Sequence, residues 1–177
     1  TDTHRQTGVV ACCSLDEYEQ GSIRRHENTR PDKVKNRTGH LLTLRAQTGL
    51  ILLAYRGTET IHRLTAEATA SDPLYDFRGI DGVHHTIWRI AAPEPWIEAF
   101  AKVPRLYIAD GHHRIESADV ARNRIFAADG NLPGGDEFNF VMAGIFPAEE
   151  LRIMAYNRAV RDLNGLAIEK FLSRIEE

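Results

Sequence analysis

The feature that most constrains this chain is the passage from a strand into a helix through one glycine. Residues 106–109 (Leu-Tyr-Ile-Ala) are mostly apolar, and Asp110 and Gly111 follow them directly. Beyond Gly111, apolar residues recur at spacings of three and four, which predicts a helix over about 112–128. Gly111 allows a sharp bend or a close approach of a ligand to the backbone. We therefore expect this strand, turn and helix to form the centre of the protein's chemistry.

The residues that open this helix favour anion binding. The first N–H groups of a helix have no helical partner, and the helix dipole is positive there. His112, His113 and Arg114 add two imidazoles and a permanent cation. We predict that these residues and Gly111 bind the phosphates of a nucleotide, with His113 also moving a proton. Asp110 is predicted to bind Mg²⁺ or orient a hydroxyl group; the alternative is a helix-capping Asp among solvated polar side chains.

A second candidate is a basic segment near the start of the chain. Residues 24–37 hold six basic and two acidic residues, a local charge of +4 in a chain of net charge −3. We predict that Glu27, surrounded by this positive charge, acts as a general base. Arg30, Lys33 and Arg37 are spaced to share one helical face. A solvated basic surface is the plainer interpretation and is equally compatible with the pattern.

Composition limits the classes of partner. The 177 residues suit a single domain, and 42% hydrophobic content is typical of a soluble globular protein. The acidic net charge argues against nucleic acid and anionic membranes as partners. Neither a membrane-spanning run nor a signal peptide is recognisable, so a cytoplasmic protein is expected. No methionine opens the chain, which we interpret as a fragment of a longer protein; the sequence is compatible with a homo-oligomer.

Hydrophobic patterns and turn residues give the expected elements. Ser14 is predicted to cap a short helical turn after the first strand, and Cys12 and Cys13 to point to opposite faces of that strand. An antiparallel hairpin is expected from 138–146 and 151–156. This makes the sheet mixed and favours α+β or mixed α/β over a parallel sheet. The predicted strands are 8–13, 50–55, 75–78, 83–91, 106–109, 138–146 and 151–156, and the predicted helices 30–47, 58–70, 93–101, 112–128 and 167–175.

Other motifs have weaker support. The adjacent pairs His84-His85 and His112-His113 lack the spacings of known zinc motifs, so a tight zinc site is not expected. The 130–135 glycine loop lacks the Lys-Ser/Thr of a P-loop. Arg158 and Asp162 lie one helical turn apart and suit either a ligand contact or a structural ion pair.

Three sequence boxes resemble a known family. They are 107–114 (Tyr-Ile-Ala-Asp-Gly-His-His-Arg), 25–30 (Arg-His-Glu-Asn-Thr-Arg) with Lys33 and Arg37, and 156–165 (Tyr-Asn-Arg-Ala-Val-Arg-Asp-Leu-Asn-Gly). Together they look like the hallmark boxes of DUF1015, an uncharacterised prokaryotic family whose members are longer at both ends. The resemblance spans nearly the whole chain and implies no activity.

A more distant resemblance suggests a fold and a ligand. The strand, Asp110 to Arg114 and the helix are similar to the nucleotide-binding box of the ParB/sulfiredoxin fold, a mixed sheet with flanking helices. The ADP-dependent free serine kinases of archaea share the Asp-Gly-His-His-Arg box, which implies contacts to nucleotide phosphates, with a glutamate elsewhere as base. Sulfiredoxin has a cysteine where His112 stands, which excludes its chemistry. ParB proteins follow the box with a DNA-binding helix-turn-helix, which is not expected here.

The leading hypothesis is a nucleotide-dependent phosphotransferase (kinase) that uses ATP or ADP with Mg²⁺ and a small hydroxyl-bearing metabolite. Glu27 would take the hydroxyl proton, and Asp110 would bind Mg²⁺ or orient the acceptor. Arg30, Lys33 and Arg158 would neutralise the transferring charge. A non-catalytic nucleotide sensor and a histidine-dependent phosphatase or hydrolase are the alternatives. The leading hypothesis requires the basic segment to fold back against the Asp110–Arg114 box.

Overall fold

The computed structural model describes residues 4–129, 137–155 and 157–176. Helices and strands alternate irregularly along the chain, and two short 3₁₀ turns, Glu137–Asn139 and Ala148–Glu150, flank the last strand. This mixture confirms the predicted α+β class. The elements are β1 (Val9–Ser14), α1 (Leu15–Glu19), β2 (Ile23–Arg24), α2 (Pro31–Leu44), β3 (Ile51–Tyr55), α3 (Glu59–Thr69), β4 (Tyr75–Arg78), β5 (His84–Ile87), α4 (Glu94–Phe100), β6 (Leu106–Asp110), α5 (His112–Asp129), β7 (Phe140–Pro147) and α6 (Ile168–Glu176).

The main sheet has five strands in the order β1-β7-β3-β6-β2, while β4 and β5 form a separate two-stranded ribbon. Strand β6 is antiparallel to β3 and parallel to β2, and β7 is parallel to β3 and antiparallel to β1. The carboxyl ends of β2 and β6 and the amino end of β3 therefore meet at one edge of the sheet. We call this place the junction edge.

The hydrophobic core lies against one face of the sheet. Leu53 of β3 pairs with Ile145 of β7 on one side and with Ile108 of β6 on the other, and all three side chains are buried. Side chains of α3, α4 and α5 join the same core. On the opposite face, Val10 and Tyr107 are exposed. Helices α3, α4 and α5 thus cover this face of the sheet.

Helix α2 packs against α5 through small buried polar side chains. The Thr38 hydroxyl donates to the Ser117 carbonyl at 3.3 Å. The Ser117 hydroxyl donates to the His113 carbonyl of its own helix at 2.5 Å and lies 3.3 Å from the Val34 carbonyl oxygen. Both hydroxyl side chains are fully buried. At the start of α2, the N–H of Arg30 contacts His113 in the first turn of α5. The contacts advance in the same order along both helices, so the two helices run side by side with their amino ends together.

Most predicted elements are present. The strand predicted over 83–91 is shorter, since β5 ends at Ile87, and the helix predicted to reach 47 ends at Leu44. Ser14 accepts a hydrogen bond from the N–H of Asp16, as predicted for a helix cap. Cys12 is exposed, whereas Cys13 is buried and burial raises the pKa of its thiol to about 12. Within the described ranges, no helix has both the length and the apolar character needed to span a bilayer.

The predicted hairpin of 138–146 and 151–156 is wrong. Residues 151–155 form no strand, and β7 pairs instead with β1 and β3. The apolar run of β7 is typical of a strand with neighbours on both sides. The turn after β7 also points its carboxylates toward other parts of the chain: Glu150 accepts from the N–H of Thr7 at 2.6 Å, and Glu149 from that of Gly57 at 3.3 Å.

Candidate functional site at the junction edge

Gly111 determines how α5 leaves the sheet. Its φ is +98°, a conformation that side chains with a Cβ rarely adopt. A Cβ at this position would lie 2.9 Å from Cγ2 of Ile51 and 3.2 Å from its Cα. The glycine therefore serves both the bend and the close approach of α5 to β3, which places the first turn of α5 at the junction edge.

The basic segment folds against this first turn, as the leading hypothesis requires. The N–H of Arg30 donates to Nε2 of His113 at 3.0 Å, and Oε1 of Glu27 lies 3.5 Å from Nδ1 of His112. The His26 ring meets the His112 ring edge-on, with 4.5 Å between centroids. Strand β2 causes this arrangement: it is parallel to β6, so the residues that follow each strand emerge at the same edge.

A hydrogen-bonded anchor that sequence reasoning missed helps to hold the segment. The Tyr18 hydroxyl donates to Oε2 of Glu116 at 2.5 Å, and the Arg25 guanidinium lies 3.4 Å from the same oxygen. Burial, together with the Glu116 carboxylate, raises the pKa of Tyr18. These residues lie on α1, α5 and the segment after β2, and no local pattern links them.

His112 faces inward. Its side chain is only 5% exposed, and its Nε2 has no hydrogen-bond partner in the described part of the chain. Burial lowers the pKa of His112; Glu27 and Asp110 act in the opposite direction, and His26 and His113 reinforce the effect of burial. The neutral imidazole is therefore favoured. Its role as a phosphate ligand stays a prediction.

Asp110 and Arg114 form an ion pair beside the helix start. The Arg114 guanidinium lies 3.3 Å from Oδ2 of Asp110 and also donates to the carbonyl of Leu50, just before β3. The Asp110 carboxylate is largely exposed and Arg114 is half-buried. Arg114 thus connects the box to β3, while Asp110 remains accessible to an ion or a hydroxyl group.

The remaining predicted residues differ in how the structure places them. Arg30 forms an exposed ion pair with Asp32 at 2.8 Å, and the Arg30 hydrogen bond lowers the pKa of Asp32. Lys33 is exposed in the first turn of α2, three residues from Arg30. Arg158 is exposed in the irregular segment after β7, and its place in the site stays a prediction. The 130–135 loop lies outside the described residues.

Two cavities lie at the opposite end of the sheet. One of about 500 Å³ is lined by residues that include Tyr55, Arg56 and Glu149, and one of about 240 Å³ by residues that include His62 and Glu150. Strands β3 and β7 end there, so both cavities are separated from the junction edge by the length of the strands. The predicted site residues line neither cavity, and at the junction edge Glu27 is 52% exposed.

The junction edge also holds a group of potential metal ligands that the sequence did not reveal. His26, Glu27 and His112 each offer one ligand atom, and these atoms lie within 4.8 Å of one another. Local spacing relates only neighbouring histidines, whereas this group is assembled from two segments 85 residues apart along the chain. The parallel pairing of β2 with β6 brings the two segments together.

Comparison with known proteins gives a family and no further relative. The model of a family described as "Protein of unknown function (DUF1015)" matches residues 1–177. Neither a curated protein nor a solved structure matches. The ParB/sulfiredoxin-like relation therefore stays a prediction.

Proposed function

The chain belongs to the DUF1015 family, and we propose that it is a nucleotide-dependent phosphotransferase that phosphorylates a small hydroxyl-bearing metabolite. One observation supports this proposal above the others: Glu27 and Arg30 lie against His112 and His113 at the start of α5. The general base and the phosphate-binding elements that such a reaction needs are thereby adjacent.

The paired helix ends supply the electrostatics for phosphate. The amino ends of α2 and α5 lie side by side, so two positive dipole ends act on the same volume. Arg30 and Lys33 add positive charge on the α2 side, and Arg114 adds it on the α5 side. We assign the nucleotide phosphates to the backbone of 111–113, with these cations neutralising the group in transfer.

The two carboxylates at the edge suit different tasks. Glu27 is accessible and lies next to an imidazole rather than in an ion pair with arginine or lysine among the described contacts, so its oxygens are available to a hydroxyl proton. Asp110 ends β6 on the other side of the helix start and is largely exposed. We assign proton acceptance to Glu27 and Mg²⁺ or acceptor orientation to Asp110, with ATP or ADP as the phosphate donor.

The geometry gives less support to a histidine-dependent phosphatase. A histidine nucleophile needs an exposed nitrogen with a free lone pair. Nε2 of His113 accepts a hydrogen bond from Arg30, and the His112 ring is buried. Both rings are better placed to organise the edge than to attack a phosphate.

The test is turnover by the full chain with ATP or ADP, Mg²⁺ and a pool of hydroxylated metabolites, followed by ³¹P NMR and mass spectrometry. Replacing the base, Glu27→Gln, is expected to lower turnover by about 10²- to 10⁴-fold while nucleotide affinity changes little. Glu98→Gln, an exposed residue of α4, is the matched control and is expected to retain full turnover.

Three outcomes would contradict the proposal. The first is that neither nucleotide binds. The second is that nucleotide binds saturably but no product forms with any acceptor, which would identify a sensor. The third is equal turnover by the Glu27→Gln variant and the unaltered chain, which would remove Glu27 from the mechanism.

A further inference from the structure

We propose that His26, Glu27 and His112 bind a divalent transition-metal ion such as Zn²⁺. Two imidazoles and one carboxylate are a common ligand set for such ions. Oε1 of Glu27 and Nδ1 of His112 are 3.5 Å apart. Two ligands at ordinary zinc distances in a tetrahedral site are separated by about 3.4 Å. The ligand atoms of Glu27 and His112 are therefore already at about the separation that a tetrahedral zinc site needs.

The buried ring of His112 presents one of its two nitrogens to the proposed site. Its Nε2 has no hydrogen-bond partner in the described residues, and its Nδ1 has only the 3.5 Å contact with Glu27. Nδ1, the nitrogen that faces Glu27, is therefore the one assigned to the ion, and it has no short hydrogen bond to lose. The proton of the neutral ring then stays on Nε2.

The other two ligands can complete the site by small movements. His26 and Glu27 are exposed neighbours in the segment after β2, and the three ligand atoms are already within 4.8 Å of one another. Because Glu27 is already 3.5 Å from His112, the ligand atom of His26 is the one that has to move closer, and its exposed side chain is free to rotate. Three protein ligands leave a coordination position open to water or a substrate oxygen.

The ligand chemistry distinguishes this ion from the Mg²⁺ of the proposed reaction. Mg²⁺ prefers oxygen ligands and keeps several waters, whereas imidazole favours zinc, cobalt and nickel. A metal ion bound to Glu27 would withdraw electron density from its carboxylate and so make it a much weaker proton acceptor for phosphoryl transfer. The junction edge with a metal ion bound and the junction edge with Glu27 free to act as a base are thus two alternative forms of the same site.

The experiment is calorimetric titration of the metal-free full chain with ZnCl₂ in the absence of nucleotide. The expected result is one ion per chain in the micromolar range or tighter. His26→Ala and Glu27→Gln, both at exposed positions, are each expected to weaken binding by at least ~10-fold. Titration with CoCl₂ should give the visible absorption of a low-coordinate nitrogen and oxygen site.

The controls test other sources of zinc affinity. His40→Ala, an exposed residue of α2, and Cys12→Ala should leave the affinity unchanged. Circular dichroism of each variant verifies that it is folded. The proposal is overturned if the folded chain binds no stoichiometric zinc, or if His26→Ala and Glu27→Gln bind it as tightly as the unaltered chain. Neither result bears on nucleotide binding or turnover, so this proposal and the phosphotransferase proposal can fail separately.

Discussion

Gly111 illustrates how one residue sets the geometry of the junction edge. We expect Gly111→Ala to lower the free energy of unfolding by about 2 to 3 kcal/mol, because the positive φ and the contact with Ile51 both oppose a Cβ. Urea denaturation measures the loss. Nucleotide and zinc binding should weaken together if the first turn of α5 moves.

Gly21 supplies the matched control for this substitution. Its φ is +78°, but a Cβ built there meets no atom within 4 Å. Gly21→Ala should therefore cost only the backbone strain, about 1 kcal/mol. Equal losses in the free energy of unfolding for the two variants would show that the close approach of Gly111 to Ile51 does not oppose a Cβ at residue 111.

At the level of elements, buried Arg122 connects α5 to α1. Its side chain is 3% exposed and lies 2.6 Å from Asp16, 2.8 Å from Glu19 and 2.9 Å from Asp119. We expect Arg122→Met to cost about 1 to 3 kcal/mol, because it leaves the mostly buried Asp119 carboxylate without its cation. Asp16 and Glu19 are 70% and 50% exposed, so water solvates them after the change. Arg124→Met, at an exposed position of the same helix, should change stability by less than about 0.5 kcal/mol.

The loss of stability in Arg122→Met should depend on pH, and this dependence tests the same contact between α5 and α1. Burial raises the pKa of Asp119, and Arg122 opposes this effect. Without Arg122, the folded state should bind a proton at Asp119 more readily than the unfolded state does. Stability is then regained as the pH falls, so the deficit should shrink between pH 7 and pH 5. A deficit that grows over this range would contradict the assignment.

Local patterns predicted the longer elements because burial imposes their periodicity. Runs of apolar residues predicted strands β1 and β3, and apolar residues at spacings of three and four predicted helix α5. Strand β2 was missed because Ile23 and Arg24 are too few for any period, and their extended conformation depends on pairing with β6. The strand predicted at 151–156 is wrong for the opposite reason. Residues 151–155 are partly apolar, but they pair with no strand of the sheet.

The candidate site likewise has one part that the local sequence could predict and one part that it could not. The His112-His113 motif was visible locally, since it follows a strand and a glycine. The inward direction of His112 and its meeting with His26 and Glu27 were not, because they arise from two strands lying side by side. Residue types predicted an anion site at this edge, which stays a prediction; the topology was needed to bring the potential metal ligands together.

On the scale of the whole molecule, the covered face of the sheet should account for most of the stability. Leu53 is fully buried at the centre of β3, whereas Leu172 of α6 is 53% exposed. The same change at both positions compares the two environments without altering the chemistry. We expect Leu53→Ala to cost about 2 to 5 kcal/mol and Leu172→Ala less than about 0.5 kcal/mol, measured by chemical denaturation at several protein concentrations. A comparable loss at Leu172 would contradict this distribution, and dependence of that loss on protein concentration would assign the apolar side of α6 to contacts between copies of the chain.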